Sequence, residues 1–165
     1  KLHNFYPNTK LDFLLKYDDG TYYLWAVYSW SKVTRDDGIT VYAPHFDRRH
    51  NINIVGAYKF GEDKSWEVSA RWNFGSGFPF TPTQGYYPGL PFTNQDGTPS
   101  SGFDYTSENG NPSVLYGALN SMRLTDYHRM DVSIKKNWKL TKRSELMATL
   151  GATNIYNQEN IKFKF

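Results

Sequence analysis

Apolar and polar residues alternate with a period of two along most of this chain, and that pattern predicts strands with one fatty and one wet face. The cleanest example is Trp66 to Gly75, where Trp66, Val68, Ala70, Trp72 and Phe74 share one face and Glu67, Ser69, Arg71 and Asn73 the other. Met130 to Leu140 repeats it, with Val132, Ile134, Trp138 and Leu140 opposing Asp131, Ser133, Lys135, Asn137 and Lys139, and Lys136 as the exception. In Ser144 to Tyr156 the apolar positions are Leu146, Ala148, Leu150 and Ala152; in Asn51 to Phe60 they are Ile52, Ile54, Tyr58 and Phe60. Tyr22 to Val33 reads as a strand with rings on both faces, so the sequence leaves its orientation open. Leu11 to Tyr17 and Ile161 to Phe165 are shorter candidates.

The connections alternate in length. Short polar turns at Asp18 to Thr21, Gly61 to Ser65 and Thr141 to Arg143 join one set of strand ends. Thr34 to His50 and the much longer Ser76 to Arg129 join the other. Short turns on one side and long loops on the other are the asymmetry of bacterial membrane barrels, with the short turns in the periplasm. Gly61 to Ser65 is therefore expected in the periplasm and Phe78 to His128 outside the cell.

Composition moves the reading the same way. Aromatic residues make up 18% of the chain against a hydrophobic total of 39%, and mean hydropathy is −0.67. Rings are abundant where aliphatic residues are sparse, which suits a sheet that is apolar only outward and ringed by aromatics at two lipid interfaces. The longest apolar runs, such as Leu24 to Val27, fall far short of the ~20 residues of a membrane helix. The fold class expected is all-β, an antiparallel transmembrane β-barrel present in part. Residues 1–165 are expected to be the C-terminal part of its barrel domain. About seven strands is odd and too few for a closed bacterial barrel, and the last is too short to span, so the chain reads as a fragment. Residues are expected to precede Lys1, and the sequence leaves open whether any are missing between Asn157 and Lys162. No signal peptide opens it.

Charge and chemistry exclude several classes. The net charge of +3 is spread along the chain, with no nucleic-acid patch. The absence of cysteine rules out disulfides and thiolate metal sites, and suits passage through an oxidising periplasm. No phosphate loop, nucleophile elbow or HExxH helix is present, so neither catalysis nor a cofactor is expected.

Ile161-Lys162-Phe163-Lys164-Phe165 places apolar residues at alternate positions and finishes on Phe, and resembles the C-terminal signal read by the outer-membrane assembly machinery. Phe163 and Phe165 would carry it. Tyr28-Ser29-Trp30-Ser31-Lys32, Pro44-His45-Phe46-Asp47-Arg48-Arg49-His50-Asn51 and Gly75-Ser76-Gly77-Phe78-Pro79-Phe80-Thr81-Pro82 follow one another along the chain. With Tyr127-His128-Arg129-Met130-Asp131 and Asn154-Ile155-Tyr156-Asn157, their succession resembles the closing strands of TonB-dependent outer-membrane receptors of the Bacteroidota type. The resemblance implies a barrel of about 22 strands filled by an N-terminal plug, in the outer membrane of a Gram-negative bacterium. It also implies energy-coupled uptake of a scarce nutrient through TonB. The partners implied are outer-membrane lipid, the protein's own N-terminal barrel and plug, and the TonB complex through that N-terminal region, with a surface lipoprotein as a further candidate. Arg71, Asp131 and Lys135 would line the plug interface. A passive porin or small structural barrel, and a soluble carbohydrate-binding β-sandwich, are the alternatives.

Three clusters offer binding chemistry. Asp47, Arg48 and Arg49 with the flanking His45 and His50 form a charged cluster of the kind that holds a metal or an anion, since imidazole and carboxylate together are metal ligands. On a strand, however, His45 and Asp47 would share a face opposite to that of His50, so a polar cluster at a strand start is the better account. Asn94-Gln95-Asp96-Gly97 with Asp104, Glu108 and Asn109 has calcium-type oxygens without EF-hand spacing, and a solvated loop is preferred. Phe78, Phe80, Tyr86, Tyr87, Phe92, Phe103 and Tyr105, with Tyr116, form an aromatic loop. These rings are expected either to contact substrate by stacking or to pack the loop over the barrel mouth.

Overall fold

In a computed structural model the chain is described over residues 8–61, 63–89, 111–141 and 144–160. It is all-β and antiparallel. Its strands are β1 (Thr9–Asp18), β2 (Tyr22–Lys32), β3 (Arg35–Asp36), β4 (Val41–Tyr42), β5 (His50–Phe60) and β6 (Trp66–Gly75). They continue with β7 (Pro79–Phe80), β8 (Thr83–Gly89), β9 (Asn111–Tyr116), β10 (Met122–Arg123), β11 (Tyr127–Thr141) and β12 (Ser144–Ala152). Six form one sheet in the order β1-β2-β5-β6-β11-β12, each strand antiparallel to its neighbour.

Cross-strand partners share a face, so the register settles what each face carries. Val68 lies opposite Tyr58 and Ile134, and Ile134 opposite Leu150. Ile54 lies opposite Trp72 and Ala26, and Ala26 opposite Leu15. The apolar alternation thus runs unbroken across six strands. β2 is resolved too: Leu24, Ala26, Tyr28 and Trp30 join the apolar face, while Trp25, Val27 and Ser29 join the other. That second face is polar, with Asn51, Asn53, Asn73, Arg71, Asp131 and Lys135 among its members, although Leu14, Val55 and Met147 also lie on it.

Rings gather at both ends of the apolar face. Near the short turns, Tyr22, Tyr58, Phe60 and Trp66 stack in sequence at centroid distances of 4.8, 5.8 and 6.1 Å. Near the long connections, Phe13 stacks on Tyr28 and Tyr28 on His50, each at 6.1 Å, and Trp72 stacks on Phe74 at 5.9 Å. Trp66 and Phe74 are eight residues apart on one strand, about 26 Å at ~3.3 Å per residue. Between the rows lie aliphatic residues. Lys136, the exception in the alternation, sits in the short-turn row with its ammonium 4.3 Å from the Trp66 ring and 5.1 Å from that of Trp138. Among the described residues no hydrophobic side chain is buried, and Leu150 is 75% exposed. A sheet that folded around its apolar face as a core would hide that residue.

The short turns are closed by local chemistry. Asp19 accepts hydrogen bonds from the amides of Thr21 and Tyr22 at 2.8 and 2.6 Å, and Gly20 takes a positive φ of 79°. Lys64 of the next turn donates to Thr21 Oγ1 at 2.8 Å, tying the two turns together.

Three expectations are corrected. The strand expected over Ser144 to Tyr156 stops at Ala152, because Asn154 and Asn157 adopt positive φ and close a turn, the Asn157 amide donating to the Asn154 carbonyl at 2.8 Å. Asn tolerates that conformation through its short polar side chain. The long connections are not plain loops: β3 pairs with β4, β7 with β10 and β8 with β9. Pro44 to Asp47 is a turn and not a strand, with the Asp47 amide donating to the Pro44 carbonyl at 2.9 Å. The seventh expected strand, Ile161 to Phe165, with Phe163 and Phe165, lies outside the described residues.

Candidate functional site

Among the described residues the most enclosed place is where the two long connections leave the sheet. Pro44, Asp47, Gly75, Gly77 and Pro79 are all buried there, and Asp47 is 0% exposed. A carboxylate taken out of water needs partners for its charge and lone pairs, and here three chain segments supply them. The Val33 amide at the end of β2 donates to Oδ1 at 2.9 Å, and Arg49 Nε donates to Oδ2 at 2.8 Å. Arg123 of β10 donates through Nη2 to the same carboxylate. Its Nη1 reaches the carbonyls of Asp47 and Gly77 at 2.9 and 3.0 Å. Burial alone pushes the Asp47 carboxyl up, but the Val33 amide, Arg49 and Arg123 outweigh it and hold it below its usual range.

Around this carboxylate the backbone is packed close. The Gly77 amide donates to Asp126 Oδ1 at 3.0 Å, and a Cβ on Gly77 would lie 1.8 Å from the Leu124 carbonyl oxygen, so only glycine fits. Asn120 bridges the two connections, donating from Nδ2 to the Ala43 carbonyl at 2.8 Å and from its amide to Thr81 Oγ1 at 3.0 Å. Ser31 Oγ donates to the Arg48 carbonyl at 2.7 Å.

Arg48 differs from its neighbours. Its guanidinium carbon lies over the Phe78 ring, 4.4 Å from the centroid, and the group presses on Gly75, where a Cβ would stand 2.5 Å from it. Its buried Nε has no hydrogen-bond partner. Burial lowers its pKa, with Tyr127 acting weakly the other way.

The candidate metal ligands separate in space. His50 Nδ1 hydrogen-bonds Tyr28 Oη at 2.9 Å, His45 packs edge-on against Phe46, and Asp47 is engaged by arginines. Among the described residues no three potential ligands converge on one metal position.

The aromatic loop divides. Phe78 is part of the enclosed cluster and Phe80 lies in β7 opposite Met122, whereas Tyr86 and Tyr87 on β8 are exposed, at 74% and 51%. Phe92, Phe103, Tyr105 and the calcium-type cluster from Asn94 to Asn109 lie outside the described residues.

On the polar face Arg71 stands directly opposite Asp131, which Arg129 holds through Nη2 at 2.6 Å. Lys135 pairs with Glu67 at 2.9 Å and Ser69 meets Ser133 at 2.7 Å. Arg71, Asp131, Ser69 and Ser133 border a hollow of about 330 Å³ that Gly151 and Thr153 complete. Beside it the Asn154 turn docks on β11. The Asn154 amide donates to Asp131 Oδ1 at 3.0 Å, and His128 Nδ1 hydrogen-bonds Tyr156 Oη at 2.9 Å.

No family model, curated protein or solved structure matches this chain.

Arg123 and Asn120 are the site residues that sequence reading does not single out. Both lie in an irregular stretch without periodicity, and their partners are 76 and 77 residues away.

Proposed function

We propose that this chain forms adjoining strands of a β-barrel in the outer membrane of a Gram-negative bacterium, and that the barrel is a TonB-dependent transporter importing a scarce nutrient. The observation that carries the membrane reading is the apolar face. It runs across six strands between two rows of rings, and no hydrophobic side chain is buried among the described residues. Water is a poor neighbour for such a surface, at roughly 25 cal/mol for each Å² left exposed, whereas lipid is a suitable one. A soluble sandwich would need a second sheet over this face, and among the described residues none covers it. The polar face, with its ion pairs and asparagines, then bounds the lumen. β1 and β12 have open outer edges among the described residues, and both need further strands, since unpaired backbone is not tolerated in hydrocarbon.

The transporter reading rests on the succession of segments that resemble the receptor family. In space, those from β2, the Pro44 turn and the Gly75 stretch surround Asp47, and the last two dock on each other through His128 and Tyr156.

Two measurements test the proposal. Single cysteines at Val68, Ala70, Trp72, Val132, Ile134, Leu146, Ala148 and Leu150 should react with lipid-phase probes, and those at Ser69 and Ser133 with aqueous thiol reagents. The reverse labelling would overturn the barrel. The full-length protein in detergent should also bind the periplasmic domain of TonB. Correct labelling without TonB binding would leave a passive porin.

A further inference from the structure

Several cations around Asp47 and on the polar face are matched: Arg49 and Arg123 hold Asp47, Arg129 holds Asp131, and Lys135 holds Glu67. Arg48 is not. Its guanidinium makes no hydrogen bond or ion pair with any described residue, and its packing is against Phe78 and Gly75. A guanidinium carries its N–H donors in its own plane and matches the paired oxygens of a carboxylate or phosphate. Keeping that charge partly desolvated without a counter-charge is costly, and an incoming anion would relieve the cost.

The surroundings suit an anion. Gly75, on which Arg48 rests, lies opposite Asn51 on β5 and Tyr127 on β11. Direct cross-strand partners share a face, so an amide and a phenol flank the guanidinium, and both can donate. Lacking a side chain, Gly75 leaves the space that Arg48 occupies. Two acids of the enclosed cluster are already engaged, Asp47 by its arginines and Asp126 by the Gly77 amide.

We propose that Arg48, flanked by Asn51 and Tyr127, is a binding site for the carboxylate or phosphate group of a solute, set in the polar wall at the base of the long connections. This rests on the reading that the polar face bounds an aqueous lumen, and it narrows the imported substrate to an anionic class.

The test is calorimetric titration of the full-length protein in detergent with inorganic phosphate at fixed ionic strength. Phosphate should bind, and Arg48→Gln should weaken it about tenfold or more, as expected for loss of a charge-assisted pair. Arg48→Lys should retain part of the affinity, since it keeps charge without the fork. Tyr127→Phe, a smaller change to the fold, should weaken binding about two- to fivefold through one lost donor. Lys59→Gln, at the far end of the same face, should change it less than about twofold, because screening fades charge effects beyond ~8–10 Å. No phosphate binding by the parent protein, or equal affinity in the Arg48→Gln and Tyr127→Phe variants, overturns the site. Labelling of Asn53→Cys by an aqueous thiol reagent separates the two claims. If it reacts while phosphate does not bind, the anion site alone falls; if it does not react, the lumen reading falls and takes the site with it.

Discussion

The guanidinium of Arg123 meets Asp47 twice, donating to its carboxylate and, at 2.9 Å, to its backbone carbonyl. The residues are 76 positions apart, so this contact joins two connections that the chain itself does not hold together. Because Asp47 is fully enclosed, its removal strands Arg49, Arg123 and the Val33 amide at once.

Asp47→Ala should therefore loosen both long connections. Breaking a buried pair costs about 3–5 kcal/mol; both arginines are about one-third exposed, which brings the expectation to about 2–4 kcal/mol. The strand sheet should survive. Limited proteolysis should show faster cutting within Thr34 to His50 and Ser76 to Asp126, with the sheet strands still protected. Unchanged cleavage would mean that the Asp47 cluster does not organise the connections.

The same carboxylate sets a pH limit. Its folded pKa lies below the usual 3.8, so its ionised form is favoured by folding. The stabilisation is fully present above the unfolded value and is lost as pH falls through the lower folded value. The connections should hold to about pH 4 and loosen only in stronger acid. The Val33 amide, which donates to Asp47, is the reporter: its resonance in micelles should shift on acidification below pH 3.8 and be insensitive in Asp47→Asn.

Gly77 and Gly85 should respond oppositely to one added methyl. At Gly77 the new Cβ would collide with the Leu124 backbone, which cannot rotate away, whereas at Gly85 nothing lies within 4 Å. Gly77→Ala should cost about 3 kcal/mol, the upper end for overpacking a close site, and Gly85→Ala less than about 0.5 kcal/mol. Thermal denaturation in detergent, read by protection of the Ser76 to Asp126 connection, would detect the difference.

How much of this was legible in the sequence follows from what each feature depends on. The sheet was, because alternation is local: Trp66 to Gly75 declares its two faces without reference to any partner. The orientation of β2 was not, since rings occupy both its faces and only pairing with β1 and β5 decides. The strand end at Ala152 was missed because Tyr156 falls in phase with Leu146, Ala148, Leu150 and Ala152, across a turn that two left-handed asparagines form. Asp47, Arg48 and Arg49 stood out as a charged cluster, but their division of labour depends on Arg123, Gly75 and Phe78, which meet them only once both connections have folded back.

Lys136 supplies the sharpest energetic test of the membrane reading. It is a cation on the apolar face, held in the short-turn row by Trp66 and Trp138. At a bilayer interface a lysine costs about 0–1 kcal/mol, and two ring contacts return about 0.5–1 kcal/mol each at an exposed site. Those quantities nearly cancel, so Lys136→Leu should shift stability by less than about 1 kcal/mol. The same charge placed at Val132, four residues along the strand and midway between the two rows of rings, has no interface within easy reach, and Val132→Lys should cost about 2–4 kcal/mol. Urea titration of the full-length protein refolded in lipid vesicles would measure both. A depth-dependent penalty of this kind belongs to lipid: if the face lay against water, both substitutions would be near neutral, and if it lay in a dry protein core, the native Lys136 would itself be strongly destabilising and its replacement by leucine would raise stability by several kcal/mol. Near-equal effects at the two positions would therefore overturn the membrane assignment.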